Sequence, residues 1–285
     1  MPSRPPNAET AVEPSCSDKA VILARGLGQR MRRDDATAAL DAAQAGVAAT
    51  GMKALIPVGR PFLDYVLSAL AEAGYRRVCL VVGPEHDALR DYYGRQLQPQ
   101  RLKITFAVQE QPKGTADAVT AAESFAAGEA FTVINSDNYY PVEALSQLRR
   151  QAGSAVALFD WQSMLAGSNL SEERLRRFAV AEFDERGFLR RIIEKPGEAT
   201  WALLPRPLWL GMNCWRFRPT IFEACRAISP SPRGELEITT AVQYAIDVLG
   251  EPFCAIKIHA PVLDLTSRAD IAPVAAMLSG KDVCL

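Results

Sequence analysis

Val21-Ile22-Leu23-Ala24-Arg25-Gly26-Leu27-Gly28-Gln29-Arg30-Met31 follows a polar, proline-rich stretch, and the rest of the chain is read outward from it. A short apolar run of this kind reads as a buried strand. It ends abruptly in two glycines flanked by Arg25 and Arg30. Glycine lets a backbone turn sharply and lets its N–H groups approach a ligand. Arginine adds fixed positive charge and bidentate donors suited to phosphate. The segment reads as a strand-end cradle for a polyphosphate.

Two glycine-rich phosphate motifs can be tested directly. The P-loop pattern GxxxxGK followed by Ser or Thr does not occur. Gly26 and Gly28 fit the first two positions of the dinucleotide fingerprint GxGxxG, but Met31 occupies the third, and the residues beyond do not form a strand pattern. A dehydrogenase is therefore disfavoured.

Upstream, residues 1–18 carry Pro2, Pro5, Pro6 and Pro14 among polar residues and are expected to be a disordered tail. Downstream, strand and helix patterns alternate across a domain spanning 19–285. Ala20–Ala24 is predicted as the first strand. Pro61–Ala73 is predicted as a helix, with Phe62, Leu63, Val66, Leu67 and Leu70 on one face and Gly74 at its end. Strands at Arg76–Val82, Leu102–Val108 and Ala130–Asn135 alternate with helices at Glu85–Tyr93 and Thr115–Phe125. This rhythm predicts a largely parallel sheet with helices on both faces. Beyond about residue 140 the pattern changes. Phe178–Phe183 and Phe188–Ile193 flank Asp184-Glu185-Arg186-Gly187, which is hairpin spacing. Leu208–Phe217 and Phe253–Ile258 are further strands, and Ile238–Val248 is helical. The stretch from Arg32 to Met52 resists the rhythm; it is expected to be a surface insertion or a lid, with a short helix around Thr37–Ala45.

Composition excludes several function classes. Of 285 residues, 48% are hydrophobic and 23% charged, which suits a globular chain with a sizeable core. Lys plus Arg (32) balances Asp plus Glu (33), so nothing global favours nucleic acid or an anionic membrane. The six cysteines contain no CxxC pair, and His86 and His259 are the only histidines, which disfavours a zinc site or a disulfide framework. No apolar run reaches spanning length and no signal-peptide core is present, so the expected location is the cytoplasm.

Further motifs follow the glycine turn in a set order. They are Lys53-Ala54-Leu55-Ile56-Pro57-Val58-Gly59-Arg60-Pro61, Gln109-Glu110-Gln111-Pro112-Lys113-Gly114-Thr115-Ala116-Asp117-Ala118 and Ile134-Asn135-Ser136-Asp137-Asn138. After these come Glu194-Lys195-Pro196, Arg233-Gly234-Glu235-Leu236-Glu237-Ile238-Thr239 and Val262-Leu263-Asp264-Leu265-Thr266. Together with the strand–x–Gly–x–Gly–x–Arg–Met turn, they resemble the sugar-1-phosphate nucleotidyltransferases from Ala20 to about Ile271.

The resemblance implies a three-layer α/β/α Rossmann-like fold of the nucleotide-diphospho-sugar transferase type. Its mixed, mainly parallel sheet would carry a small antiparallel insertion. A nucleotide-binding half would cover about 19–140 and a sugar-binding half about 141–285. It also implies a nucleoside triphosphate and a sugar 1-phosphate as substrates, with Mg²⁺ as cofactor. Such chemistry requires two polyanions to be aligned and leaving-group charge to be stabilised. The residues implied for the triphosphate are Leu23, Ala24, Gly26, Leu27 and Gly28, with Arg30 against the leaving pyrophosphate. Lys53 would reach the α-phosphate and the sugar phosphate. Gln109, Gly114 and Thr115 would meet the base, and Asp137 and Asp264 would share the metal. Asn138, Glu194, Lys195, Gly211 and Asn213 would bind the sugar phosphate.

Plainer roles stand beside these. Arg30 and Lys53 could be surface charges, Asp137 a turn cap, Gln109 an exposed strand residue, and Glu194-Lys195-Pro196 a strand end closed by proline. Glu235 and Glu237 suit a helix start better than catalysis. Arg25 departs from the family, which has a small residue there, and Gln29 replaces its Thr or Ser. Relatives making UDP-N-acetylglucosamine or ADP-glucose carry a long C-terminal β-helix that has no room here. UTP or dTTP is therefore expected, with GTP next, and an oligomer is open. The competing classes are a glycosyltransferase of related fold, which generally lacks the GxGxR turn and following lysine, and a silent nucleotide-binding paralogue.

Overall fold

The computed structural model describes residues 16–285. Of the stretch read as a tail, residues 1–15 lie outside the described residues. Asp18 accepts the Arg76 and Arg77 N–H groups at 3.0 and 3.1 Å, and its carboxylate takes the Arg77 Nε at 2.7 Å.

The strands are β1 (Lys19–Leu23), β2 (Arg77–Val82), β3 (Lys103–Val108), β4 (Phe131–Asn135), β5 (Asn138–Tyr139) and β6 (Ser154–Asp160). They continue as β7 (Ala179–Phe183), β8 (Leu189–Ile193), β9 (Trp209–Phe217), β10 (Phe253–Ile258) and β11 (Leu263–Asp264). The main sheet runs in the order β10-β6-β9-β4-β1-β2-β3. β4, β1, β2 and β3 are mutually parallel, and β10 is parallel to β6. β9 is antiparallel to both β4 and β6 and so joins the two parallel blocks. The β7–β8 hairpin attaches through β7 to β9, while β5 and β11 pair as a separate ribbon. The sheet is thus mixed and mainly parallel, as expected, but its antiparallel strand lies in the interior.

β1 shows how the layers form. Ala20 and Ile22 enter one apolar cluster and Val21 the other, as the two-residue period of a strand requires. The helix Phe62–Glu72 packs Phe62, Leu63, Val66 and Leu67 into the first cluster. Helices Thr115–Ala121, Thr220–Ala227 and Ile238–Asp247 fill the second with Val119, Phe222 and Val242. Two boundaries differ from the periodic pattern. The helix predicted through Phe125 breaks at Ala122, whose φ of −91° and ψ of 7° leave the helical region. Between Arg32 and Met52 the helix is Ala42–Thr50, because Asp41 forms a reciprocal capping box with Gln44, while Thr37 is held in a turn by Asp35. β6 was not predicted at all. Ser154–Asp160 is buried at every position, so it has no alternation to reveal it. Among the described residues, no helix is long and apolar enough to cross a membrane.

Candidate active site

The C-terminal ends of β1 to β4 meet along one edge of the sheet. One hydrogen bond past each strand keeps them level: Ala24 N–H to Val81 O (2.9 Å), Gln109 N–H to Val82 O (2.9 Å) and Ser136 N–H to Leu23 O (3.2 Å). Ligands of open α/β sheets bind outside such ends. A cavity of about 270 Å³ opens there, walled by Leu23, Ala24, Gly26 and Leu27 on one side and by Lys53, Gln109, Gly114 and Thr115 on the other.

Gly28 stands at the base of this arrangement rather than in the cavity wall. Its φ is +61°, and a Cβ there would lie 2.2 Å from the Gly51 carbonyl oxygen. The glycine turn therefore packs backbone to backbone on residues 51–52, just before the turn Lys53–Leu55. This contact brings Lys53 to the strand ends, where its Nζ donates to Asp137 Oδ2 at 2.7 Å. The pair is largely buried, with side-chain exposures of 15% and 24%.

Asp137 and Asp264 lie far apart in the chain, and their convergence is built by the β5–β11 ribbon. Asp264 pairs with Asn138 in the ladder, and the Leu265 N–H donates to the Asp137 carbonyl at 2.8 Å. Asn169 clamps Asp264 from the other side through both of its backbone polar groups, at 2.9 and 2.8 Å. Asn138 Nδ2 and Arg174 Nη2 donate to the Asp264 carboxylate at 3.1 and 2.9 Å. Burial, reinforced by the Asp137 charge, holds the Asp264 carboxyl above the usual carboxylate range. Asp137 and Asp264 thus lie near one another, with Lys53 beside the first and Arg174 shared between the second and Asp270. Asn169 and Arg174 escaped the sequence reading, since they lie between the motifs and carry no pattern of their own.

Gln109 has a defined orientation. Its Nε2 donates to Gly114 O at 3.0 Å and to Asp117 Oδ2 at 2.7 Å, both of which can only accept. Its Oε1 is the atom left for the cavity it lines. Gly114 lines the cavity beside Gln109 and is also met closely by protein backbone. A Cβ there would lie 2.4 Å from the Leu236 oxygen, and Leu236 bonds to Lys113 and Ala116 on either side. Thr115 lines the cavity, while its Oγ1 accepts the Ile238 N–H at 2.8 Å and so caps the helix Ile238–Asp247.

A second, larger cleft of about 970 Å³ adjoins the first, and Asn135 and Asn213 line both. Asn138, Glu194, Lys195, Gly211 and Asp264 belong to it. Arg30 lines this cleft together with Lys195, and not the smaller cavity that Lys53 and Gly26 line. Lys195 and Asn213 have φ values of +43° and +51°, a region non-glycine residues seldom occupy. Such strain concentrates at ligand sites. At Asn213 it accompanies the register shift between β6 and β9, which turns this residue toward both cavities.

Arg25 points across the sheet edge to the loop after β2. Its Nε and Nη2 each reach a Glu85 carboxylate oxygen at 3.4 Å, while Nη1 is buried with no partner.

A sequence profile for the family described as "Nucleotidyl transferase" matches residues 19–257. A glucose-1-phosphate thymidylyltransferase of Streptomyces griseus is 30% identical over 80% of this chain, which spans only 57% of that relative. The UTP–glucose-1-phosphate uridylyltransferase AglF of Haloferax volcanii is 27% identical over 87% of this chain and 90% of its own. Among solved structures, a UDP-glucose pyrophosphorylase complexed with UDP-glucose superposes with a TM-score of 0.70 at 20% identity, covering 91% of this chain and 97% of the other.

Proposed function

Because the chain belongs to the nucleotidyl transferase family, we propose that it joins a nucleoside triphosphate to a sugar 1-phosphate, giving a nucleotide-diphospho-sugar and pyrophosphate. The observation that carries this reading is the Lys53–Asp137 pair in the cavity beside Gln109, which adjoins, at Asn135 and Asn213, a cleft lined by Glu194 and Lys195. A triphosphate in the first and a sugar phosphate in the second would meet at Lys53.

In the reaction a phosphate oxygen of the sugar 1-phosphate forms a bond to the α-phosphorus, and the bond from that phosphorus to the β-phosphate oxygen breaks. The nucleophile is already anionic, so no proton need move. Protein catalysis reduces to alignment and charge stabilisation. Lys53 neutralises the two phosphates as they approach, the backbone around Gly26 holds the triphosphate, and Lys195 draws in the sugar phosphate; Arg30, expected against the pyrophosphate, lines the sugar-side cleft instead. The donor set suits Mg²⁺: Asp137 and Asp264 offer hard oxygen ligands, and phosphate oxygens would complete a site that has no third protein carboxylate among the described residues. When bound, such a cation screens charge on the triphosphate.

Gln109 narrows the base. With both amide hydrogens engaged by protein, it meets the nucleotide as an acceptor through Oε1. An acceptor complements the ring N–H of uracil, thymine or guanine, although the exocyclic amino groups of cytosine and adenine could also donate to it. Together with similarity to a thymidylyl- and a uridylyltransferase, this supports UTP or dTTP, with GTP next. The six cysteines are all free, which suits a reducing compartment and supports a cytoplasmic reaction.

A matrix of nucleoside triphosphates against sugar 1-phosphates, read by pyrophosphate release, tests the proposal. Release is expected only with both substrates and Mg²⁺ present. Silence across the matrix, or a glycoside as product, contradicts it.

A further inference from the structure

Among the described residues Arg25 has one partner, Glu85, although its side chain is only 7% exposed. Both contacts, at 3.4 Å, sit at the outer limit of hydrogen bonding. Its Nη1 is buried and unbonded, and Arg25 lines the smaller cavity together with His86. A dry guanidinium with an idle N–H is a costly arrangement for an empty protein and a useful one for a bound ligand. Glu85 is half-exposed and carries lone pairs beyond the two that Arg25 engages.

Position identifies which part of a ligand this pair would meet. The sheet order places the ends of β3, β2, β1 and β4 side by side, carrying Gln109, Glu85, Arg25 and Asp137 in that order. Neighbouring strands are about 4.8 Å apart, so Gln109 and Asp137 stand roughly 14 Å from each other. A nucleotide with its base at Gln109 and its α-phosphate at Lys53 lays its ribose over Arg25, which lines the cavity, while Glu85 lies outside that lining and holds the guanidinium. A phosphate there would feel the nearby Glu85 charge, whereas a neutral hydroxyl oxygen accepts from the guanidinium without that repulsion.

We infer that Arg25, positioned by Glu85, binds the vicinal 2′,3′-diol of the nucleotide and makes the chain selective for ribonucleotides over 2′-deoxyribonucleotides. This rests on the nucleotidyl-transfer reading and sharpens it from UTP or dTTP to UTP. The Arg25 guanidinium donates to a ribose hydroxyl oxygen, and Glu85 holds that guanidinium from outside the cavity.

The test compares UTP with 2′-deoxy-UTP and 3′-deoxy-UTP, which share one base and differ only in the diol. With a fixed sugar 1-phosphate, kcat/KM for UTP should exceed that for either deoxy analogue by about tenfold or more, the range of one charge-assisted hydrogen bond. Arg25→Ala and Glu85→Gln should each collapse that ratio toward one, and Arg25→Lys, which cannot reproduce the fork, should fall between. Should Arg25→Ala fail to fold, Glu85→Gln and Arg25→Lys carry the comparison. A wild-type ratio near one, or a ratio unchanged in the variants, overturns the inference while leaving nucleotidyl transfer intact. If no triphosphate is turned over, the functional reading fails instead. Calorimetric binding of UTP and 2′-deoxy-UTP then decides the inference, with equal or absent binding counting against it.

Discussion

Lys53 and Asp137 form the contact on which the proposed chemistry turns. Lys53 donates to the Asp137 carboxylate at 2.7 Å, so its loss removes positive charge from the place proposed for the α-phosphate. Lys53→Ala should lower kcat by about 10²–10³, the scale of one electrostatic stabiliser. The fold should persist with a lowered melting temperature, because removing Lys53 leaves the largely buried Asp137 carboxylate without its partner. Retained turnover would remove Lys53 from the mechanism. His86 carries a separate prediction. Burial holds its imidazole below its ordinary value of 6.5, against the opposing pull of Glu85, and its Nδ1 accepts the Gly83 N–H at 3.3 Å. The unfolded chain therefore takes up this proton first. The stabilising contribution is complete above pH 6.5 and is lost as the pH falls through the lower folded value. Urea midpoints at pH 7.5 and 5.5 should show a steeper acid loss in the wild type than in His86→Asn. Parallel losses would sink this account. The Lys53 role was legible through the motif that carries it, whereas the His86 role was not, since an isolated histidine has no pattern until its neighbours are placed.

At the level of elements, the two segments that flank the first cavity are built on close backbone approaches that only glycine permits. At Gly28 the added Cβ of Gly28→Ala would sit 2.2 Å from a carbonyl oxygen of a second backbone, with φ already at +61°. Neither atom belongs to a flexible side chain, so the turn must open. The substitution should cost at least about 2 kcal/mol, measured by urea unfolding, and should displace Lys53. A variant as stable as the wild type would show that the contact with Gly51 is dispensable. Gly114 teaches the same lesson with a different partner. The sequence marks a glycine-rich loop beside Gln109, but the close neighbour is Leu236, which ties the later Glu-x-Glu-Ile-Thr segment to the base loop. Periodicity found β1, β2, β3, β4 and β10, whose apolar runs are bounded by turns. It missed β6, which is buried on both faces, and it placed the 42–50 helix too early because the Asp41 capping box outweighs a run of alanines.

Over the whole molecule, the sequence conveyed the parallel block and the order of the motifs, because these depend on local patterns. It could not convey which strand ends adjoin. The meeting of Asp137 with Asp264 depends on a two-residue ribbon, β5–β11, too short to have a pattern. The interior antiparallel strand β9 is what allows the two parallel blocks to form one sheet, and it carries Asn213 to the wall between the cavities. Under the proposed function, this architecture has the sugar phosphate attack from the cleft beside Lys195 while the triphosphate lies beside Gln109. The most direct test is oxygen labelling. Sugar 1-phosphate carrying ¹⁸O in its non-bridging phosphate oxygens is incubated with UTP and Mg²⁺, and the products are weighed by mass spectrometry. Direct attack on the α-phosphorus predicts that all label enters the nucleotide sugar and none enters pyrophosphate. Label in pyrophosphate, or UMP with unlabelled α-phosphate oxygens as the only nucleotide product, would contradict it.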